Sequence, residues 1–331
     1  MFNLAASYTA PPSDETAESE AAPGIGRRAW EWVKKLAPWG VAAAILAYLF
    51  WEVPVAEAWR AARESRLELF VSGMLGAVLL WFLIESGVFA YLFSRFNAPL
   101  SWAEARSLRG ITYLATPINW NLGTAAIILH LRRSRRIGAI ESTSSMVFYQ
   151  TIDGIVLAGL VLIGVSLLPE SPEIASLRRI ATGFECFQVA TLAVLMASVP
   201  DWRWLTRVRG LGIFRTHGLA KLRDVACLVV FKSLYFSVFV GVFWLGSHAF
   251  GVEVPLRVAM AATPGILLAG AIPITPAGLG TQQAAMVYFF SSYGDEAAIL
   301  AFGLTFPVAL VLSRCLLGLR YLRDLGKLRR E

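Results

Sequence analysis

Six stretches of this chain are apolar over the length needed to cross a bilayer: roughly Pro38–Val55, Leu69–Arg95, Ser145–Leu168, Ile180–Val199, Val225–Phe250 and Glu296–Leu322. A hydrocarbon core about 30 Å thick takes about 20 helical residues at about 1.5 Å each. Lipid offers no hydrogen-bond partners, so the backbone must satisfy its own N–H and C=O groups within helices or a closed barrel. Apolar runs this long without period-two alternation are helical. The expected fold is an all-α polytopic membrane protein. Only 16% of the 331 residues are charged and 56% are hydrophobic, against about 25% charged in an average soluble domain.

The charges that remain fix a topology. The net charge is +7, which in a soluble protein would raise nucleic acid as a partner. Here the basic residues crowd into short loops between spans, the positive-inside pattern, so no nucleic-acid partner is expected. Arg27, Arg28, Lys34 and Lys35 precede the first span, and Arg95, Arg106 and Arg109 follow the second. Arg203, Arg207, Arg209, Arg215, Lys221 and Arg223 form the strongest inner loop. Arg320, Arg323, Lys327, Arg329 and Arg330 follow the last span. Both termini are thus expected inside. Ala56–Glu68 reads as a short amphipathic helix at the outer interface. Residues 1–29 read as a disordered cytoplasmic tail, without the apolar core of a signal peptide. Residues 30–325 form the membrane domain and 326–331 a basic tail, with no soluble catalytic domain expected after the last span.

Two segments break the helical pattern at membrane depth. Ile272–Gln283 carries Pro273, Pro276, Gly278 and Gly280 within eight residues, which an ordinary helix cannot accommodate. Broken backbone is tolerated there only when buried in protein or lining a wet cavity. Leu256–Tyr293 therefore either dips in and returns as a hairpin from outside or makes two short crossings. Leu108–Leu131 is interrupted by Pro117, Asn119, Asn121 and Gly123, and Arg132, Arg133, Arg135 and Arg136 follow it. If it crossed, those arginines would lie outside, so it reads as re-entrant from the cytoplasm. Broken segments in two halves of opposite topology point to inverted repeats around a midplane site.

Several residues could bind a headgroup at these segments. Thr281 is a good N-cap for a half-helix whose free N–H groups and dipole suit a phosphate or carboxylate. Thr275, Gln282 and Gln283 stand beside it, and Gly278 and Gly280 would admit a ligand close to the backbone. Asn119 and Asn121 would cost roughly 2–7 kcal/mol each if buried in lipid unpartnered, so they face protein, water or a headgroup. Five ionisable residues, Glu85, Asp153, Glu185, Lys232 and Arg314, fall inside spans, where such groups usually meet a partner or a cavity. An Asp153–Lys232 or Asp153–Arg314 pair is one option. A cavity with Lys232 and Arg314 as binders of an anionic headgroup is the other. Glu85 and Glu185 could also couple protons.

Enzyme signatures are missing. Cys186, Cys227 and Cys315 form no Cys-x-x-Cys pair, and His130, His217 and His248 lack ligand spacing. No cofactor or metal is expected and no catalytic residue is nominated. An intramembrane transferase with a polyprenyl-linked donor stays open as an alternative.

Ile272–Val287 (IPITPAGLGTQQAAMV) resembles the Pro-x-x-Pro-Gly-Gly-Leu-Gly-x-x-Glu segment of the lysylphosphatidylglycerol synthase transmembrane region, also called the flippase-like family. Pro117–Arg133 followed by Asp153 is similar to that family's Pro-Gly-x-x-Gly-Glu…Arg and Glu-Arg-x-x-Asp segments. The likeness runs over roughly Val33–Leu325. The family's acid after the glycine motif is Gln283 here, the first glycine of its pair is Ala277, its earlier acid is Thr124, and its Glu-Arg pair is Tyr149-Gln150. The resemblance implies a flippase-like domain with two re-entrant elements and a central cavity, lacking the cytoplasmic aminoacyltransferase of fused members. The expected function is a lipid translocator or lipid-binding protein of the bacterial inner membrane, its partner a membrane lipid or lipid-linked substrate. The alternatives are a membrane component of a glycosyl- or acyltransferase system and a non-transporting accessory subunit that works with a lipid-modifying enzyme.

Overall fold

A computed structural model of the chain describes residues 55–115, 120–196, 210–271 and 278–321, with isolated positions 43, 45, 47, 48, 51, 207, 208 and 275. Most of the expected first span, both tails, and Pro117, Asn119, Pro273 and Pro276 lie outside the described residues. Every regular element described is helical. The helices are α1 (Val55–Glu64), α2 (Leu67–Phe96), α3 (Trp102–Ala115), α4 (Trp120–Arg135), α5 (Ala139–Ser166), α6 (Pro172–Met196), α7 (Arg215–Leu219), α8 (Leu222–Ala249), α9 (Leu256–Ala271), α10 (Thr281–Phe290) and α11 (Glu296–Leu319).

Five of these are long and apolar enough to cross a membrane: α2, α5, α6 (from Ile174), α8 and α11. They match five of the six expected spans. The ends of α2, α8 and α11 carry the charges that suit a helix dipole or a cap. Glu68 and Arg95 bracket α2. Asp224 accepts the Lys221 N–H at 2.8 Å to start α8. Asp295 caps α11 by accepting the Ala297 N–H at 3.1 Å.

Hydrogen bonds between elements assign the helix ends to two sides. At one side the Arg66 N–H donates to the Ala249 carbonyl at 2.8 Å and Glu253 to that of Tyr293 at 3.0 Å. This joins the start of α2 to the end of α8 and the loop before α11. At the other side Asp224 accepts from Tyr91 at 2.7 Å and Arg95 at 3.1 Å, and Ser145 donates to Asn97 at 2.6 Å. The second side holds Arg95, Arg132, Arg133, Arg135, Arg215 and Arg223, so the charge rule makes it cytoplasmic. There His217 of α7 is buried, sits 3.2 Å from the Thr151 hydroxyl, and packs edge-on against Phe148. Burial pushes its imidazole down to about 4, so it is neutral near pH 7.

The two broken segments fold as helical hairpins. Helices α3 and α4, of 14 and 16 residues, pack together between the cytoplasmic ends of α2 and α5. Helices α9 and α10, of 16 and 10 residues, pack together between the opposite ends of α8 and α11. At about 1.5 Å per residue none exceeds about 24 Å, short of the hydrocarbon core. The chain thus runs long helix, hairpin, long helix twice, in opposite directions. Helix α1 packs on α11 at the outer end, where the amphipathic segment is expected.

The α9–α10 hairpin explains its glycines. Gly278 and Gly280 have φ of +72° and +87°, a region other residues enter only at a cost. A Cβ at Gly278 would lie 2.5 Å from the Gly270 carbonyl oxygen and 2.7 Å from its Cα. The close approach expected for a ligand is made here by the backbone of α9. We expect Gly278→Ala to lower the melting temperature clearly, with about 1–2 kcal/mol from the positive φ alone. Gly76→Ala, in the interior of α2 with open space around it, is expected to be neutral or slightly stabilising. Equal melting temperatures for the two variants in detergent would refute the packing role.

Candidate functional site

Five elements carry charge and aromatic rings into one place. The supply is local and periodic. Trp81 and Glu85 on α2, Arg109 and Tyr113 on α3, Tyr149 and Asp153 on α5, and Lys232 and Tyr235 on α8 are pairs three or four residues apart, so each pair shares one helix face. Arg314 on α11 completes the cluster.

Glu85 is its anchor. It is buried and forms an ion pair with the equally buried Arg109, while the Tyr149 hydroxyl donates to its other carboxylate oxygen at 2.9 Å. Lys232 Nζ lies 2.8 Å from Asp153 Oδ1, an ion pair without hydrogen-bond angles. The same ammonium sits 3.7 Å from the centre of the Tyr149 ring and 4.9 Å from that of Tyr235. Both guanidinium groups lie against Tyr113, Arg109 at 4.8 Å and Arg314 at 5.2 Å, and Arg314 also reaches Trp81 at 6.0 Å. The Trp81 indole N–H donates to the Tyr235 carbonyl at 3.0 Å, tying α2 to α8 behind the charges. Aromatic faces thus stabilise cations that the low-dielectric interior would otherwise penalise.

The charges do not balance. Arg109, Lys232 and Arg314 face Glu85 and Asp153, leaving one cation in excess. Arg314 has no carboxylate within 4.0 Å among the described residues. Four buried donor atoms here, Arg109 Nε, Tyr113 Oη, Arg314 Nε and the ion-paired Lys232 Nζ, have no hydrogen-bond partner among the described residues. A small void of about 10 Å³ touches Arg109, Thr112, Tyr149, Gly123 and Thr124. It joins the α3–α4 hairpin to the cluster.

The structure sorts the residues singled out from the sequence. Asp153 and Lys232 meet as a pair, while Asp153 and Arg314 do not. Arg314 lies five residues from the end of α11. Gly123 lines the void, Asn121 belongs to the first turn of α4, and Pro117 and Asn119 lie outside the described residues. At the second broken segment the cap of α10 is Gly280 in place of Thr281. The Thr281 hydroxyl donates to the Gly278 carbonyl at 3.1 Å and lies 3.4 Å from the Thr275 hydroxyl. Gln282 lies against Gly270. Gln283 is buried, accepts the Gly280 N–H at 2.8 Å and donates to the Gly303 carbonyl at 2.9 Å. Pro307, four residues after Gly303 on α11, has no N–H to offer that carbonyl. Gln283 fills the vacancy. Glu185 packs over Gly159 of α5, with one carboxylate oxygen buried and without a hydrogen-bond partner among the described residues.

Sequence reasoning placed Arg109 in a loop after the second span, but it is a buried member of the cluster. Its paired spacing with Tyr113, repeated on three other helices, is the signal that could have found it.

A comparison with curated proteins finds no match. The model of one family, described as "Lysylphosphatidylglycerol synthase TM region", matches residues 36–318. That span takes in every helix of the cluster and both hairpins, and the chain therefore belongs to the family of the lysylphosphatidylglycerol synthase transmembrane region.

Proposed function

We propose that this multi-pass membrane protein binds, and moves across the bacterial inner membrane, a lipid with an anionic headgroup. The observation that carries this is the excess cation of the central cluster, together with the buried donors Arg109 Nε, Tyr113 Oη and Arg314 Nε, which lack acceptors among the described residues. Unpaired donors around a surplus positive charge suit a group rich in acceptor oxygens, and a phosphate is the commonest such group on a lipid. In this proposal Arg314 and Tyr113 contact the headgroup, and Arg109 approaches it through the hairpin void. Gly123 and Thr124, which line that void, form the cytoplasmic approach. The second hairpin holds α11 through the bond from Gln283 to the Gly303 carbonyl and so positions Arg314. Lys232, neutralised by Asp153, keeps the cluster's surplus to one charge. Opposed hairpins at membrane depth fit alternating access from the two sides, and basic inner loops would gather anionic lipids at the surface.

The test uses the full chain in vesicles carrying a fluorescent phosphatidylglycerol or phosphatidylcholine, with dithionite reporting which leaflet holds the dye. The wild type is expected to move the anionic lipid faster. Arg314→Gln should slow it by roughly tenfold, as for the loss of one charge-assisted contact, and leave the zwitterionic lipid unchanged. Equal rates for the wild type and Arg314→Gln would refute the proposal.

A further inference from the structure

A second cavity, of about 470 Å³, opens sideways between α2 and α11. It lies between two aromatic contacts that join these helices. Phe302 meets Phe70, and Tyr321, just past the end of α11, meets Phe82. Among the described residues the space between the two helices is left open as this cleft. Its walls are Leu75, Val78 and Leu79 of α2 and Leu316 and Leu317 of α11. Leu75, Leu79 and Leu316 are exposed, so the cleft faces the surrounding membrane.

Two polar groups interrupt this apolar lining. Arg320 sits at the C-terminal end of α11, exposed and without a carboxylate partner among the described residues. Ser313 is nearly buried. A serine inside a helix usually returns its hydrogen to a carbonyl one turn back, as Ser86 does to Phe82 at 2.6 Å. Ser313 makes no hydrogen bond among the described residues, although it lines the cavity. A guanidinium, a free hydroxyl and a leucine wall lie in one cleft whose size falls in the range of ligand sites.

We propose that this cleft seats one glycerophospholipid. An acyl chain lies against the leucines, the Ser313 hydroxyl donates to an ester carbonyl, and the Arg320 fork holds two phosphate oxygens. A polyprenyl phosphate could use the leucines and Arg320 but has no ester for Ser313. The seat is separate from the central cluster and does not require that headgroups move through it.

The full chain in nanodiscs, with phosphatidylglycerol carrying a diazirine in one acyl chain, provides the test. After illumination, labelled peptides are mapped by mass spectrometry. Labels at 75–79 and 313–317 are expected to exceed those at the lipid-facing Phe184, Phe187 and Val194 of α6 by roughly tenfold, the preference one charged contact confers. Arg320→Gln should remove that excess and leave the α6 labels unchanged. Leu79→Trp, at an exposed position, should remove it by filling the cleft while Arg320 stays. Equal labelling of cleft and α6, an unchanged excess in Arg320→Gln, or stronger cleft labelling by a diazirine polyprenyl phosphate would each overturn the proposal. Loss of transport with the cleft labels intact would count against the transport proposal alone.

Discussion

Arg109→Met is expected to lower the stability of the purified protein by about 3–5 kcal/mol, the cost of leaving one buried charge without its partner. Glu85 is buried among Trp81, Phe89 and Tyr149, where water cannot replace the guanidinium. Glu85→Met should cost a similar amount, because Arg109 would then join Arg314 as a second uncompensated cation against the Tyr113 ring. The double variant should be more stable than either single one, since well-packed apolar groups of similar size can replace a buried pair at little cost. A cycle of melting or denaturant measurements in detergent isolates the coupling. Additive losses, or single variants that melt like the wild type, would show that the pair does not hold the cluster together. Transport should fail in all three variants, because the cluster's surplus charge or its aromatic cage is altered in each.

Gln283→Glu is the second large effect. The side chain is of nearly the same shape, yet the exchange is not conservative here. The Gln283 amide donates to the Gly303 carbonyl and accepts from Gly280. A carboxylate can do only the second, and it would turn an oxygen toward the carbonyl that Pro307 has already deprived of its helical donor. The expected loss is about 1–3 kcal/mol for the unsatisfied groups, and more if the carboxylate stays ionised. Pro307→Ala returns an N–H to the Gly303 carbonyl, so the cost of Gln283→Glu should shrink in that background. The same cost in both backgrounds would refute the link between α10 and the proline of α11.

This exchange also bears on what the sequence could reveal. The long apolar runs made five of the six expected spans legible, because length and apolarity depend on composition alone. The hairpins were legible as breaks, since Pro and Gly act locally. What the breaks face was not. Gly278 and Gly280 looked suited to a ligand, yet Gly278 admits the backbone of α9. Gln283 looked like a family acid lost from a site, yet its amide answers a need created by Pro307 on another helix. Asp153 and Lys232 could be named as candidates, but their pairing depends on the rotation of α5 against α8, which sequence order does not encode. Arg109 was missed because its charge weighed more than its position beside Leu108 and Ile111. Its spacing to Tyr113, shared with Trp81–Glu85, Tyr149–Asp153 and Lys232–Tyr235, was present all along.

Gly123 and Thr124 now have a defined setting, beside Arg109 and Tyr149 at the edge of the cluster. In the proposed transport, the first hairpin is the element whose movement would open the cluster to the cytoplasm. The second hairpin, fastened to α11 through Gln283, would govern the position of Arg314. Helices α8 and α2, joined by Trp81 and by the Asp224 network, form the frame against which both would move.

The most direct test is mass spectrometry of the lipids that co-purify with the wild type and with Arg314→Gln. A surplus cation with unfilled donors predicts that one class of anionic lipid is enriched in the wild type over the membrane it came from, and that this enrichment falls to background in Arg314→Gln. Bulk membrane composition in both samples, or the same enrichment in both, would contradict the assignment of the central cluster as an anionic headgroup site.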